Sequence, residues 1–126
     1  MSSKPNPSYP YQAPIDAYGN GGFRFAGMSH RGSILCLPDG IHGWEPAAPQ
    51  ALAPHDFVRV LAVLQPPGFV LLGTGESQVF PSRELRSAFE AAGIGLEPMT
   101  TGSACRTYNV LLAEGRPVAA ALIATD

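Results

Sequence analysis

The chain has 126 residues, 45% of them hydrophobic, which is the size of one ordinary domain with a substantial core. Eight lysines and arginines against ten aspartates and glutamates give a formal charge of −2, which argues against binding to nucleic acid or anionic lipid. Two cysteines are too few for a disulfide framework or a zinc cluster. No apolar run predicts a transmembrane helix and no signal peptide is recognisable, so we expect a reduced, cytoplasmic protein.

The first 20 residues alternate proline with serine, tyrosine and asparagine. Proline has no amide donor and a fixed φ, so this stretch cannot form a helix or a central strand. We therefore predict a flexible arm over residues 1–20 and one ordered domain over residues 21–126. The alternative for the arm is a polyproline ligand that a partner protein recognises.

Three short strands are predicted directly after the arm. Phe23 and Phe25 flank Arg24, which is the alternation of a half-buried strand. Further strands are predicted over residues 33–37 and 41–45, separated by a Pro-Asp-Gly turn. Short turns between them favour an antiparallel arrangement.

The remainder of the chain alternates helices with strands. Pro54 suits the first position of a helix, Ser82 is a plausible helix cap, and Gly93 is a natural helix end. The predicted elements are a helix from residue 54 to about 64, a strand over 69–72, a helix over 82–92, a strand over 94–99, a helix over 102–114 and a strand over 117–124.

The element order is thus β-β-β-α-β-α-β-α-β, which predicts a single α/β domain. Alternating strands and helices favour parallel strands joined by right-handed crossovers, whereas the first strands are antiparallel. We therefore expect one mixed sheet or half-barrel.

Complete motifs for cofactor or metal chemistry are lacking. The sequence GTGESQ at residues 73–78 begins like a dinucleotide fingerprint, but the third glycine is missing and Pro81 prevents a helix from following at once. The histidines, His30, His42 and His55, have no spacing that places two on one face. We expect neither a cofactor nor a metal.

Two loops rich in glycine and hydroxyl residues form the one candidate site. Gly73, Thr74 and Gly75 follow the buried strand, and Thr100 and Thr101 follow the strand over 94–99. Ligands of parallel α/β sheets bind beyond the carboxyl ends of the strands. If the two strands are neighbours, the loops open on the same side and form a crevice over residues 73–75 and 100–103.

The helix that follows the second loop adds candidate binding groups. Its amino end favours an anion, and Arg106 in its first turn suggests a carboxylate or phosphate partner, either a ligand or an internal acid such as Glu76 or Glu97. Cys105 is either a nucleophile with a depressed pKa or a small buried hydrophobe. Asn109, one turn later, fits both interpretations.

An ordered set of motifs resembles a small domain-of-unknown-function family that includes a mitochondrial complex I assembly factor and the adipogenesis-associated domain proteins. The resemblance covers about residues 15–124. The motifs are IDAYGNGGFRF at 15–25, GS at 32–33, Trp44, LLGTG at 71–75, EPMTT at 97–101, ACRTYN at 104–109 and LAEGRPVAAAL at 112–122.

The resemblance implies a compact α/β domain with a half-barrel sheet and no established enzymatic activity. The mitochondrial relative assists the assembly of respiratory NADH dehydrogenase by binding a partner factor. The family pattern marks positions without assigning roles to them, namely Gly73, Thr74, Gly75, Thr101, Cys105, Arg106, Asn109 and Arg116.

Three hypotheses follow for the function. The first is a non-enzymatic assembly or scaffold domain for NADH dehydrogenase, which would reach the inner membrane only through a partner. The second is a small-molecule or anion-binding protein, or an enzyme, that uses the predicted crevice. The third is a homodimer built on an exposed edge strand.

Overall fold

A computed structural model describes residues 9–126. The arm predicted over residues 1–20 therefore lies partly outside the described residues, and so does any polyproline ligand in its first eight positions. The helices and strands are β1 (Ile15–Gly19), β2 (Gly22–Phe25), β3 (Met28–Arg31), β4 (Ser33–Leu37), β5 (Gly40–Trp44), α1 (Val58–Val63), β6 (Gly68–Gly73), α2 (Arg83–Ala92), β7 (Ile94–Met99), α3 (Thr101–Ala113) and β8 (Ala119–Leu122). Short 3-10 turns cover Pro49–Ala51 and Pro54–Phe57.

The described strands form a mixed α/β domain with two sheets. A five-stranded sheet has the order β5-β4-β8-β6-β7, and a three-stranded antiparallel sheet has the order β1-β2-β3. In the larger sheet β6 is parallel to both β7 and β8, whereas β4 is antiparallel to β5 and β8. The predicted α/β class and the division into antiparallel and parallel parts are confirmed, but the strands form two sheets where one was expected.

Two strands that were not predicted, β1 and β3, account for this difference. Both are joined to β2 by two-residue turns whose residues have positive φ: 53° at Asn20 and 77° at Gly21, then 53° at Ala26 and 75° at Gly27. Two-residue turns of this type match the twist of antiparallel strands and produce tight hairpins. Strand β1 thus lies within the stretch predicted as the arm, and it pairs along its length with β2.

Local capping signals place the helices. The Ser82 hydroxyl accepts a hydrogen bond from the Leu85 amide at 3.1 Å, and α2 ends at Gly93, whose φ is 73°. The helix predicted from Pro54 begins as a 3-10 turn, in which the Asp56 amide donates to the Ala53 carbonyl at 2.9 Å. The Asp56 carboxylate caps this turn by accepting the Ala53 amide at 2.9 Å. These ends confirm the predicted order of helices and strands from α1 onward.

The five-stranded sheet separates two apolar clusters. Alternate residues of β6 belong to different clusters. Leu71 packs in the cluster formed with α3 and the three-stranded sheet, whereas Val70 and Leu72 pack in the cluster formed with α1 and α2. Burial on both faces explains the continuous apolar run of this strand. No helix within residues 9–126 has the length and apolar character needed to cross a membrane.

Candidate functional site

The two predicted loops leave the five-stranded sheet at the same edge and are bonded to each other. Strands β6 and β7 are parallel, with Gly73 opposite Met99. The Thr74 amide donates to the Met99 carbonyl at 2.8 Å, and the Thr101 amide donates to the Gly75 carbonyl at 2.8 Å. The loops are therefore in direct contact, as neighbouring strands require.

The hydroxyl of Thr101 connects three segments of the chain. It donates to the Ile123 carbonyl at 2.8 Å and accepts the Gly75 amide at 2.9 Å. The side chain is fully buried. Both the donor and the acceptor capacity of this hydroxyl are thus used by backbone groups, and it ties the start of α3 to the loops after β6 and β8.

The other two threonines of the loops also bind the backbone. The Thr74 side chain is buried. Its hydroxyl donates a hydrogen bond to the Ser77 carbonyl at 2.6 Å and accepts one from the Val79 amide at 3.0 Å. The Thr100 hydroxyl caps α3 by accepting the Ser103 amide at 3.2 Å. These contacts hold the two loops in shape.

Gly73 is required where the loops approach most closely. A Cβ atom at this position would lie 2.9 Å from the Cα atom of Thr101, a distance that real Cβ contacts do not show. The helix start therefore rests directly on the end of β6, and the space between Gly73 and Thr101 is filled by protein atoms.

The environment of Cys105 opposes a role as a nucleophile. The residue is 3% exposed, and burial raises the pKa of its thiol from 9.0 to about 12, although the neighbouring Arg106 charge lowers it in part. Burial likewise raises the pKa of Cys36, the other cysteine of the same apolar cluster. A thiolate is the reactive form of cysteine, so burial and the raised pKa disfavour Cys105 as a nucleophile at neutral pH.

We expect Cys105 in the folded protein to react with a maleimide at pH 8 at least about 100-fold more slowly than a free peptide thiol, because both its thiolate fraction and its access are reduced. The Cys36→Ala variant isolates the signal of this thiol. Mass spectrometry of timed samples, with a urea-unfolded sample as the control for full reactivity, measures the rate. A rate equal to that of the peptide would show that the thiol is accessible and ionised.

Asn109 has a structural partner that sequence spacing did not indicate. Its Oδ1 atom accepts the Ile15 amide at 2.8 Å, and its Nδ2 atom donates to the Ile15 carbonyl at 2.9 Å. On the same helix the Tyr108 hydroxyl donates to the Ala13 carbonyl at 3.1 Å. Helix α3 thus holds the entry to β1 by side-chain bonds to its backbone.

Arg106 is the exposed member of the predicted group. Its Nη2 atom lies 3.3 Å from the Ser103 hydroxyl, and it takes part in no ion pair with any residue of the range 9–126. A Cβ atom on Gly102 would touch the Tyr18 ring and lie 3.5 Å from Nη1 of Arg106. The guanidinium therefore lies on the surface beside Tyr18.

The predicted site residues do not all line one cavity. A cavity of about 300 Å³ is lined by Thr74 and Gly75, together with Glu76, Gln50 and Asp126, and its lining contains no lysine or arginine. Thr100, Thr101, Cys105, Arg106 and Asn109 are not part of that lining. The crevice as a binding site for an anion stays a prediction.

A larger cavity, about 480 Å³, lies on the outer face of the three-stranded sheet. Its lining includes Arg24 and Arg31, which sequence reasoning did not select as functional. The Asn-Gly turn at residues 20–21 was the signal that could have revealed the sheet carrying them.

Comparison with known proteins places the chain in a family. The model of the family described as "Protein of unknown function (DUF498/DUF598)" matches residues 15–123. The chain belongs to this family. The match begins at the first residue of β1 and ends one residue beyond β8, so it spans both sheets.

Relatives of this family member include proteins with and without a stated role. A solved structure from Bartonella henselae, described as an outer membrane protein, is 49% identical with a TM-score of 0.85, covering 94% of this chain and 99% of that one. An uncharacterized Rhodobacter capsulatus protein is 38% identical over 117 residues, 93% of this chain and 89% of that protein. The Mus musculus NADH dehydrogenase [ubiquinone] 1 alpha subcomplex assembly factor 3 is 31% identical over 116 residues, 91% of this chain. This chain spans only 62% of the mouse protein.

Proposed function

We propose that this protein is a non-enzymatic assembly factor for respiratory NADH dehydrogenase that acts through protein–protein contacts. The observation that carries the proposal is the 31% identity to the mouse assembly factor over 91% of this chain. In this proposal the protein is cytoplasmic and meets the inner membrane only through its partners. The specific partner and the pairing of two copies through an edge strand stay hypotheses.

The chemistry of the loops supports a role without catalysis. The hydroxyls of Thr74, Thr100 and Thr101 bind backbone groups, and the Cys105 thiol is buried with a raised pKa. Groups that are used in this way stabilise the fold and are not available to activate a substrate. The family relationship and these contacts therefore favour the same class of function.

Deleting the gene in the source organism tests the proposal. We expect the amount of assembled NADH dehydrogenase in native gels of the membranes to fall, together with NADH oxidation by those membranes. A plasmid copy of the gene should restore both, and succinate oxidation serves as the control for general membrane damage. Unchanged levels of the assembled enzyme in the deletion strain would contradict the proposal.

A ligand-binding function at the predicted crevice is the second candidate, and the exposed Arg106 is the observation that favours it. This guanidinium has no carboxylate partner within residues 9–126 and lies near the amino end of α3, which favours anions. The two candidate functions differ in their requirement for Arg106. In a folded variant that lacks Arg106, a ligand-binding function at the crevice would be lost, whereas the assembly function would remain.

A further inference from the structure

The outer face of the three-stranded sheet carries a concave surface whose lining contains no residue of the two loops. Its volume of about 480 Å³ falls within the range of roughly 300–1,000 Å³ that is typical of ligand sites. Six of its lining residues project from the strands and define what we call the arginine trough: Ala17, Gly19, Gly22, Arg24, Ser29 and Arg31.

Strand register explains the shape of the arginine trough. Arg24 lies opposite both Ala17 and Ser29, so these three form one row across the sheet. Gly22 lies opposite Gly19 and Arg31 and forms the next row. Directly opposite residues project from the same face of a sheet. The β1 side is therefore low, because its residues are small, and the two arginines rise on the β2 and β3 side.

Gly22 is required at its position for a steric reason. A Cβ atom there would clash with the backbone carbonyl of His30 on β3. The close approach of β2 and β3 thus depends on this residue.

The arginine trough is positively charged although the whole chain is not. Its lining contains no aspartate or glutamate, whereas the formal charge of the protein is −2. Arg24 and Arg31 are both exposed, and neither forms an ion pair with a residue of the described part of the chain. The Arg24 Nη1 atom donates to the Ser29 hydroxyl at 3.1 Å, which orients its guanidinium over the sheet.

Within the described residues, no carboxylate lies at ion-pair distance from either guanidinium. Asp126 is the acid beside the β1 side of the trough: one of its main-chain oxygens lies 3.9 Å from the position of a Cβ atom on Gly19, and the residue also lines the smaller cavity. Asp16 belongs to β1, at the irregularity between Ile15 and Ala17, and is not part of the lining. Two guanidiniums on an open surface are suited to bidentate binding of carboxylates.

We propose that the arginine trough binds an acidic, extended segment of a partner protein. The proposal rests on the proposed function, because it names the surface through which an assembly factor would hold its client. Carboxylates complement the two guanidiniums, and the small residues Ala17 and Gly19 of β1 leave room beside them for a peptide backbone. A nucleic acid or an anionic membrane is a poorer match, since such binding requires many more cationic contacts than two arginines provide.

Binding of a fluorescent oligoglutamate peptide, measured by anisotropy, tests the proposal in vitro. The full chain should bind the peptide at low salt and release it as salt rises. The double variant R24E/R31E should weaken binding about ten-fold or more, because attraction becomes repulsion. The matched control is R83E/R86E, which makes the same change in net charge on exposed positions of α2 and should change binding by less than about two-fold.

Several outcomes overturn the proposal. These are no binding of oligoglutamate at low salt, equal weakening in both double variants, and arginine-dependent binding of oligouridylate or of phosphatidylglycerol vesicles without binding of oligoglutamate. Circular dichroism of each variant shows that it is folded, which these exposed positions should permit.

Complementation of the deletion strain separates this proposal from the proposed function. We expect R83E/R86E, but not R24E/R31E, to restore assembled NADH dehydrogenase. If R24E/R31E at normal protein levels restored assembled NADH dehydrogenase, the proposal about the arginine trough would be overturned, and the assembly role would not. A deletion strain with normal NADH dehydrogenase would overturn the assembly role, while the peptide measurement would still decide whether the trough binds acidic segments.

Discussion

The Thr101→Val variant should lose about 3 kcal/mol of its free energy of unfolding, because the buried Gly75 amide and the Ile123 carbonyl each lose their partner. Valine has nearly the shape of threonine, so the loss reports the hydroxyl and not a cavity. Urea unfolding followed by circular dichroism measures the change. The midpoint should shift to lower urea with an unchanged slope, since the surface exposed on unfolding stays the same.

Thr101→Ser is the matched control for this variant. It keeps the hydroxyl and removes only a buried methyl group, so we expect a loss of about 1 kcal/mol. A larger loss in the serine variant than in the valine variant would mean that apolar packing, and not the hydrogen-bonded connection of three segments, determines stability at this position.

The Asn109→Ala variant should lose about 2 kcal/mol of its free energy of unfolding. The substitution removes both bonds to the backbone of Ile15, which together cost about 2–3 kcal/mol, and it gains a few tenths from the higher helix propensity of alanine. The melting temperature should fall by about 5–10 °C for a chain of this length.

Hydrogen exchange distinguishes this effect from a general weakening of α3. We expect the amides of β1 to exchange faster in Asn109→Ala, because α3 no longer holds the strand entry. Val110→Ala, on the exposed surface of the same helix, is the control and should leave β1 unchanged. Equal protection of β1 in the two variants would show that Asn109 does not hold this strand.

Local signals in the sequence predicted much of the larger sheet and its helices. The predicted strands over residues 33–37 and 94–99 coincide with β4 and β7, and Ser82 caps α2 as expected. Each of these depends on nearby residues: a short apolar run, a hydroxyl before a helix, or a glycine after one. Such patterns determine an element without reference to the rest of the chain.

The contacts missed by the prediction join distant parts of the chain. The bond between Asn109 and Ile15 spans 94 residues, and the Thr101 hydroxyl reaches Ile123 across 22 residues. Sequence spacing within one helix carries no information about such partners. It therefore grouped Cys105, Arg106 and Asn109 by position, whereas the fold gives them a buried core, an open surface and the backbone of β1.

The arginine trough illustrates the same limitation. Arg24 and Arg31 come together through the β2–β3 hairpin, and the β1 side of the trough was hidden by the proline-rich composition around β1. The Asn-Gly pair at residues 20–21 is a strong hairpin signal and was outweighed by that composition. The alternation of Phe23, Arg24 and Phe25 did predict correctly that Arg24 is exposed between two buried side chains.

The most direct test of the central claim is complementation of the deletion strain with the double variant C105A/R106Q. This variant removes the thiol and the guanidinium on which chemistry at the crevice would depend, and it leaves the arginine trough intact. We predict that assembled NADH dehydrogenase in native gels returns to the level restored by the unmodified gene. A variant protein that accumulates normally but leaves the enzyme at the deletion level would contradict the account and favour a ligand-binding or catalytic role.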